Sequence, residues 1–364
     1  MRVAIVHDWL NGMRGGEKVL EALLELFPEA TIYTLLHQRG KVSRSIESHP
    51  IVTSWLNRIP GVYAHYRNLL PLFPAAIESF DLSSFDLVLS SSHSVAKGVR
   101  AQTAVHICYC HTPMRYVWDM YDEYFGPGKA SPVVRRAMKS VRPYLQEWDV
   151  RSSSRVDYFI ANSKFVQDRI QKYYDRGSAV INPPVDLSRF RISERDDGYY
   201  LVLGALVPYK RIDLAIGACN ALARRLVVAG DGPDFSDLKN MAGPTVSVIG
   251  RVDDEQAAAL YSHCRALLFP GIEDFGITPL EAMACGKPVI AFGKGGVLET
   301  VIDGSTGVLF GEQTIPFLVD AILKSESLRF DHALIRGQTA QFERSLFKER
   351  IWAFVTSRME EHFR

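Results

Sequence analysis

Twice along its 364 residues the chain alternates short apolar runs with helical segments, and that alternation constrains the fold more than any other feature. In the first half an apolar run at residues 3–6 leads through a Gly-rich loop at 8–16 into a helix over 17–26. There Val19, Leu20, Leu23 and Leu24, with Phe27 just beyond, form a stripe at helical spacing. Further runs at 31–35, 87–90, 105–109, 158–161 and 179–181 read as strands, and Asn182-Pro183-Pro184 is a stiff stop that suits a domain boundary. The second half repeats the pattern, with strands at 201–203, 226–229, 246–249, 266–269 and 289–291. Strands that are apolar on both faces and separated by helices make a parallel sheet covered on both sides. Two such sets predict an α/β chain of two Rossmann-like, doubly wound parallel-sheet domains facing each other across a cleft. Ligands would sit at the carboxyl ends of the strands.

Length agrees, because 364 residues exceed one ordinary core and suit two domains of about 180 residues each. A hydrophobic content of 47% with 23% charged residues is that of a globular protein, and a net charge of +1 argues against a nucleic-acid partner. Cys108, Cys110, Cys219, Cys264 and Cys285 form no Cys-x2-Cys pair and lie mostly in apolar runs, which predicts reduced thiols and a cytoplasmic protein. The first apolar run is cut short by His7-Asp8, so it reads as a strand and not a leader, and no run approaches the length of a membrane span.

The richest local signal is the stretch Gly271-Ile272-Glu273-Asp274-Phe275-Gly276-Ile277-Thr278-Pro279-Leu280-Glu281. Thr278 reads as an N-cap, Pro279 as the first helical residue and Glu281 as the closing acid of a Thr-x-x-Glu capping box. A strand, a loop and a helix start in succession make a site for an anion, with Glu273 and Glu281 bracketing it. The alternative is a capping acid and a solvated one. Upstream, Gly204-Ala205-Leu206-Val207-Pro208-Tyr209-Lys210-Arg211 joins an apolar strand to a helix. Its Lys-Arg pair suits a diphosphate, Arg by bidentate contact and Lys as a point charge, unless both cations are simply solvated.

Together, Lys210, Glu273 and Glu281 on one α/β half resemble the donor-binding half of glycosyltransferase family 4, whose fold is GT-B. That family carries a Glu-x7-Glu motif and a Lys after a Gly-Arg turn, both used to bind a nucleotide sugar, and the resemblance runs almost the whole length. It implies an N-terminal acceptor-binding domain over 1–184 and a nucleotide-sugar-binding domain over 185–344. The C-terminal helix, about 345–364, is expected to pack back on the first domain. It also implies retention of anomeric configuration. Glu281 would hold the nucleotide ribose, and Glu273 with the backbone of Phe275, Gly276 and Ile277 the donor sugar. Thr278, Arg251 and Val252 complete the expected donor set with Lys210 and Arg211. The chain departs from the pattern at Ala205, where many members place Arg. Arg211 or Arg251 is then the candidate for the missing charge, and the turn itself is similar to that of mannosyltransferase-like members.

In the first half, Gly12-Met13-Arg14-Gly15-Gly16-Glu17 is not Gly-x-Gly-x-x-Gly, and no acid is placed to hold a dinucleotide ribose. Gly15 and Gly16 still let backbone approach a ligand at a helix start, and the family's loop here faces the donor diphosphate. His111-Thr112-Pro113-Met114-Arg115-Tyr116 follows a strand, where a lone histidine is ordinarily structural. The resemblance makes His111 a residue that orients the donor sugar, with Lys210 and Glu273 as the other catalytic candidates. Arg115, Tyr116 and Asp119 are expected to line the acceptor site, with Tyr121, Asp122 and Glu123 near it or on a solvated helix face.

The aromatic segment 55–77 and the basic segment 133–155 suit contact with anionic lipid headgroups, or else form core and solvated helix face respectively. No Asp-x-Asp triplet occurs, so no metal and no cofactor is expected. The His7-Asp8-Trp9 and His111–Tyr116 runs look like members acting in bacterial surface polysaccharide assembly, often with GDP-mannose, on a glycan or polyprenyl-diphosphate-linked acceptor at the inner face of the plasma membrane. Two other readings stay open: a donor-binding protein with an impaired transferase site, and a GT-B sugar-nucleotide epimerase.

Overall fold

The computed structural model describes residues 1–362, and these fall into two compact units, Met1–Pro184 with 345–362, and Val185–Arg344. The predicted last helix extended over Phe363 and Arg364, which lie outside the described residues. Among the described residues no helix is long and apolar enough to cross a membrane.

The first unit is built on seven strands: β1 Val3–His7, β2 Thr31–Thr34, β3 Ile51–Thr53, β4 Leu87–Ser92, β5 Val105–Cys110, β6 Tyr158–Ala161 and β7 Ser178–Val180. They pair in parallel in the order β3-β2-β1-β4-β5-β6-β7. The second unit has six: β8 Tyr199–Leu203, β9 Arg225–Ala229, β10 Val246–Gly250, β11 Ala266–Phe269, β12 Val289–Phe292 and β13 Gly307–Phe310. These are also parallel, in the order β10-β9-β8-β11-β12-β13. Each order runs outward in both directions from a central pair, β1/β4 in the first sheet and β8/β11 in the second. Loops after those two strands leave toward opposite faces, which opens a crevice at their carboxyl ends, the place where such sheets bind ligands.

Both faces of each sheet are covered. In the first unit Ile5, Leu20, Leu24, Ile107 and Leu87 pack on one side, and Val6, Val88, Phe73, Ile77 and Trp148 on the other. In the second, Val202, Ile216, Val228 and Leu268 face one layer while Leu201, Leu267, Leu280 and Met283 face the other. Burial of whole strands explains their unbroken apolar character.

Segment 55–77 resolves toward the core: Leu56, Val62, Tyr66, Leu70, Phe73 and Ile77 are buried in the first unit, and of its larger apolar side chains Trp55 and Leu72 are the well-exposed ones. Its short helical turns simply close one face of the sheet, so it does not offer the broad greasy surface that composition suggested. The C-terminal helix Arg344–His362 seats Phe347, Ile351 and Val355 in the same layer as Ile5 and Leu20, with the ring of Phe347 edge-on to Tyr109 at 5.8 Å. Lys348 pairs with Glu25 at 2.9 Å. All five cysteines are buried free thiols.

Candidate active site

In the second unit the switch point is formed by the turn after β8 and the loop after β11. Gly204, at φ +144°, leaves β8 in a conformation that other residues seldom adopt, and a Cβ there would stand 3.0 Å from Lys210 Nζ. The turn closes through a short 3-10 helix, Pro208–Lys210. Lys210 Nζ reaches Glu273 Oε1 at 3.2 Å, both side chains about a fifth exposed. The two residues thus meet from different strands, and they line a small cavity of about 20 Å³ with Gly204, Ala205 and Gly271. Gly271 makes the approach possible, since a Cβ on it would fall 2.6 Å from Lys210 Cα. Gly271→Ala is therefore expected to push the two loops apart and lower the melting temperature of the protein. An unchanged melting temperature would show that the close approach is dispensable.

The helix after this loop runs Ile277–Ala284 and begins two residues earlier than predicted. Gly276, at φ +90°, occupies the cap position and no side chain caps the helix. Thr278 and Pro279 are thus the second and third helical residues, and the Thr278–Glu281 capping box does not form. A glycine able to take positive φ starts the helix without a capping side chain, and Pro279 remains tolerable because the first-turn N–H it lacks would have no helical acceptor. Glu281 is released from capping and accepts a hydrogen bond from Tyr261 OH at 2.8 Å.

Phe275 is 3% exposed and its ring lies edge-on to Phe342, so only its backbone faces the loop. Gly296 packs against that backbone, a Cβ there falling 2.3 Å from Phe275 Cα, and its N–H donates to Glu273 O at 3.0 Å. The cations separate. Arg211, at φ +51°, turns back to Asp213 with Nε and Nη2 at 3.1 and 3.0 Å from its two carboxylate oxygens. Arg251, exposed, and Val252, partly buried, follow β10, two strands away from β8 in the sheet.

In the first unit the switch point gathers residues that motif reading passed over. His7 ends β1 and is the register partner of Ser91 on β4. His7 Nδ1 lies 3.1 Å from Ser91 Oγ, which in turn lies 2.8 Å from His111 Nε2, the first residue beyond β5. On the other side of the His7 ring, Glu17 Oε1 is 3.8 Å from Nε2. Glu17 sits in the first turn of the helix Gly15–Leu26, and its Oε2 accepts the Arg14 N–H at 2.9 Å. That helix starts two residues before the predicted 17–26, because Arg14 takes the extended cap conformation and leaves both glycines inside the first turn. Gly15 is exposed, whereas a Cβ on Gly16 would stand 3.4 Å from His7 Cε1 and 3.8 Å from His111 Nε2.

Asp8 is fully buried and accepts four backbone N–H bonds, from His93 and Ser94 at Oδ2 (2.7 and 3.0 Å) and from Val95 and Ala96 at Oδ1 (2.7 and 2.8 Å). A carboxylate so surrounded pins the loop after β4 and holds His93, whose Nδ1 is 3.1 Å from Oδ2. Trp9 meets the edge of the same ring at 4.5 Å. Burial pushes the His111 imidazole well below its ordinary pKa, with His93 and His7 adding to the effect, and burial likewise lowers His93. Both rings are neutral near pH 7. Among the described residues no group of three or more His, Cys, Asp or Glu side chains is arranged as metal ligands.

The expected acceptor residues divide. Tyr116 OH contacts Ser94 Oγ in the pinned loop. Asp119 instead turns to Arg169, whose Nη2 donates to Oδ1 at 2.6 Å while Nη1 donates to Thr112. Arg115 is partly buried between them in sequence. Tyr121 lies under the guanidinium of Arg142, 4.2 Å from its ring centroid, and Asp122 and Glu123 are exposed. Motif reading singled out His111 and the two glycines but missed Asp8, Glu17, Ser91 and His93. Their signal was the polar run Ser90-Ser91-Ser92-His93-Ser94 at the end of an apolar strand, matched by His7-Asp8 at the end of the neighbouring one.

Two family models account for most of the chain. That for Glycosyltransferase Family 4 matches residues 13–189 and that for Glycosyl transferases group 1 matches 186–340. The chain belongs to glycosyltransferase family 4, with the GT-B fold. A glycosyltransferase of Methanocaldococcus jannaschii is 30% identical over 181 residues, 48% of this chain and 51% of that one. The GDP-mannose-dependent alpha-(1-6)-phosphatidylinositol monomannoside mannosyltransferase of Mycolicibacterium smegmatis is 29% identical over 192 residues, 44% of this chain and 50% of that one. The chain thus spans about half the length of these two relatives. Among solved structures, sucrose-phosphate synthase of Thermosynechococcus elongatus superposes with a TM-score of 0.76 at 18% identity, over 99% of this chain and 100% of that one.

Proposed function

We propose that the protein is a retaining hexosyltransferase that moves mannose from GDP-mannose to a glycan or polyprenyl-diphosphate-linked acceptor in bacterial surface polysaccharide synthesis. The observation that carries this reading is the pairing of Lys210 with Glu273 at the switch point of the second sheet, next to the start of the helix Ile277–Ala284. Lys210 and the Ile277 helix start would meet the charge of the departing diphosphate, the term that ordinarily dominates such catalysis. Glu273 and the Phe275–Ile277 backbone would take the donor sugar's hydroxyls, and Glu281, braced by Tyr261, the ribose. His111 would accept a hydrogen bond from a sugar hydroxyl. Mannose is favoured by the mannosyltransferase among the relatives.

The test is transfer from radiolabelled GDP-mannose to a polyprenyl-diphosphate-linked glycan, with the nucleotide products followed in parallel. Acceptor-dependent release of GDP with label in the glycan is expected. Conversion of the sugar nucleotide without acceptor would make the protein an epimerase, and tight binding with no turnover would make it a donor-binding protein.

The same reading places the protein at the inner face of the plasma membrane. The helix Pro132–Ser153 exposes Val133 and Val134 beside Arg136 and Lys139, and with Tyr121 and Phe125 it borders a groove of about 430 Å³. Apolar side chains among basic ones suit an anionic headgroup layer. At ~1 kcal/mol for each basic residue, replacing Arg136 and Lys139 with alanine is expected to lower partition onto phosphatidylglycerol vesicles about thirtyfold. Equal partition of wild type and variant would show that this face does not meet the membrane.

A further inference from the structure

The Glu17–His7–Ser91–His111 series joins a helix, β1, β4 and the loop after β5, and its hydrogen-bond polarity follows from the group at its Glu17 end. We propose that Glu17, acting through His7 and Ser91, fixes the tautomer of His111 so that Nε2 carries the proton and Nδ1 presents its lone pair. The three relay groups are then positioning residues for His111.

A hydroxyl between two imidazole nitrogens donates one hydrogen bond and accepts one, so the series has a single direction at any moment. It can run from His111 Nε2–H to Ser91 Oγ and from Ser91 O–H to His7 Nδ1, or the reverse. The far nitrogen of His7 decides between them. Its Nε2 faces a carboxylate oxygen 3.8 Å away and has no nearer hydrogen-bond partner. A lone pair aimed at a carboxylate is repelled, whereas an N–H is attracted, so Nε2 holds the proton of a neutral His7 and Nδ1 is its acceptor. A doubly protonated His7 would reverse the series, but a buried imidazolium–carboxylate pair closes to about 2.7–2.9 Å, and this contact is a full ångström longer. Of the other groups about the rings, His93 is held by Asp8, and Tyr109, whose ring lies beside His111, donates its hydroxyl proton to Ile181 O. Ser91 then donates to His7 and accepts from His111 Nε2–H.

Glu17 is fixed for this task by its second oxygen, which accepts the Arg14 N–H. That contact makes Glu17→Gln an informative change. The amide oxygen stays with the Arg14 N–H, and the NH2 turns to His7 Nε2. His7 must then accept there and carry its proton on Nδ1, Ser91 must reverse, and His111 must move its proton to Nδ1. A single carboxylate-to-amide change more than one residue removed from His111 inverts which nitrogen presents a lone pair.

The measurement is long-range ¹H–¹⁵N correlation on protein labelled at histidine, with His111 resonances assigned by their loss in His111→Gln. In the wild type His111 Nε2 is expected at a protonated-nitrogen shift and Nδ1 at an unprotonated one. In Glu17→Gln the two are expected to exchange. In Ser91→Ala, addition of Glu17→Gln is expected to change nothing at His111. A protonated Nδ1 in the wild type, the same tautomer in wild type and Glu17→Gln, or an effect of Glu17 that survives removal of the Ser91 hydroxyl would each overturn the proposal. What the lone pair accepts, a sugar hydroxyl, rests on the transferase reading. The spectra need no substrate, so failure of that reading would leave this result standing.

Discussion

Replacing Lys210 with alanine is expected to slow sugar transfer about 100- to 1,000-fold while leaving the fold intact. Lys210 lies on a partly exposed 3-10 turn, so its loss creates no core cavity. Its charge is hard to replace locally. Position 205 carries a methyl group in place of a guanidinium, and Arg211 is already engaged by both oxygens of Asp213. On the proposed function, the Lys210 ammonium beside Glu273 is then the cation of this turn that meets a departing diphosphate. Arg211→Ala is expected to cost much less than Lys210→Ala. Steady-state rates for the two variants, with circular dichroism as the fold control, check this. Equal losses, or a Lys210→Ala rate within threefold of wild type, would place the charge stabilisation elsewhere.

The second large effect is on stability in acid. His93, His106 and His111 are all held below the ordinary histidine value of 6.5, chiefly by burial, and His106 is pushed down to about 4. His106 shows why the neutral form is kept: its Nδ1 reaches the Arg155 carbonyl at 3.2 Å and its Nε2 the Ser90 hydroxyl at 2.8 Å, a donor and an acceptor both satisfied without charge. The sign follows from proton counts. Between the folded and unfolded values the unfolded chain binds a proton that the folded one refuses, so stability rises with pH in that window and is complete above 6.5. Each such histidine contributes up to ~1.4 kcal/mol per pH unit. Urea melts are therefore expected to show stability steady above pH 7 and falling steeply from pH 6.5 toward 4. The carboxylates held low, such as Glu17 and Glu78, act only below their ordinary value of 4.5 and leave the upper window to the histidines. A flat profile between pH 7 and 5 would mean the rings accept protons in the folded state.

The sheets were legible in sequence because buried parallel strands are unbroken apolar runs, as in Leu87-Val88-Leu89 or Ala266-Leu267-Leu268-Phe269. Short strands escaped that signal: β3 has only Ile51-Val52-Thr53 at a sheet edge, and β13 begins with a glycine. The Ile277 helix start was misplaced because a Thr-x-x-Glu spacing carries no information about φ, and Gly276 was free to supply the turn itself. Lys210 and Glu273 were readable from local motifs, whereas their contact depends on β8 and β11 being neighbours. The histidine series was less visible still. His7 and Ser91 lie 84 positions apart and meet only because β1 pairs with β4 in a register that sets them side by side. No spacing along the chain encodes that register.

On the proposed function, the loops after β8 and β11 hold a nucleoside diphosphate sugar through Lys210 and Glu273. Thermal melts of wild type and Lys210→Ala against GDP-mannose, UDP-glucose, UDP-N-acetylglucosamine, GDP and UDP test it most directly. A donor present at 100 times its dissociation constant adds about 2.7 kcal/mol. A rise in melting temperature with GDP-mannose and GDP, absent in the variant, is expected. No shift with any of the five, or a shift that Lys210→Ala retains in full, would contradict it.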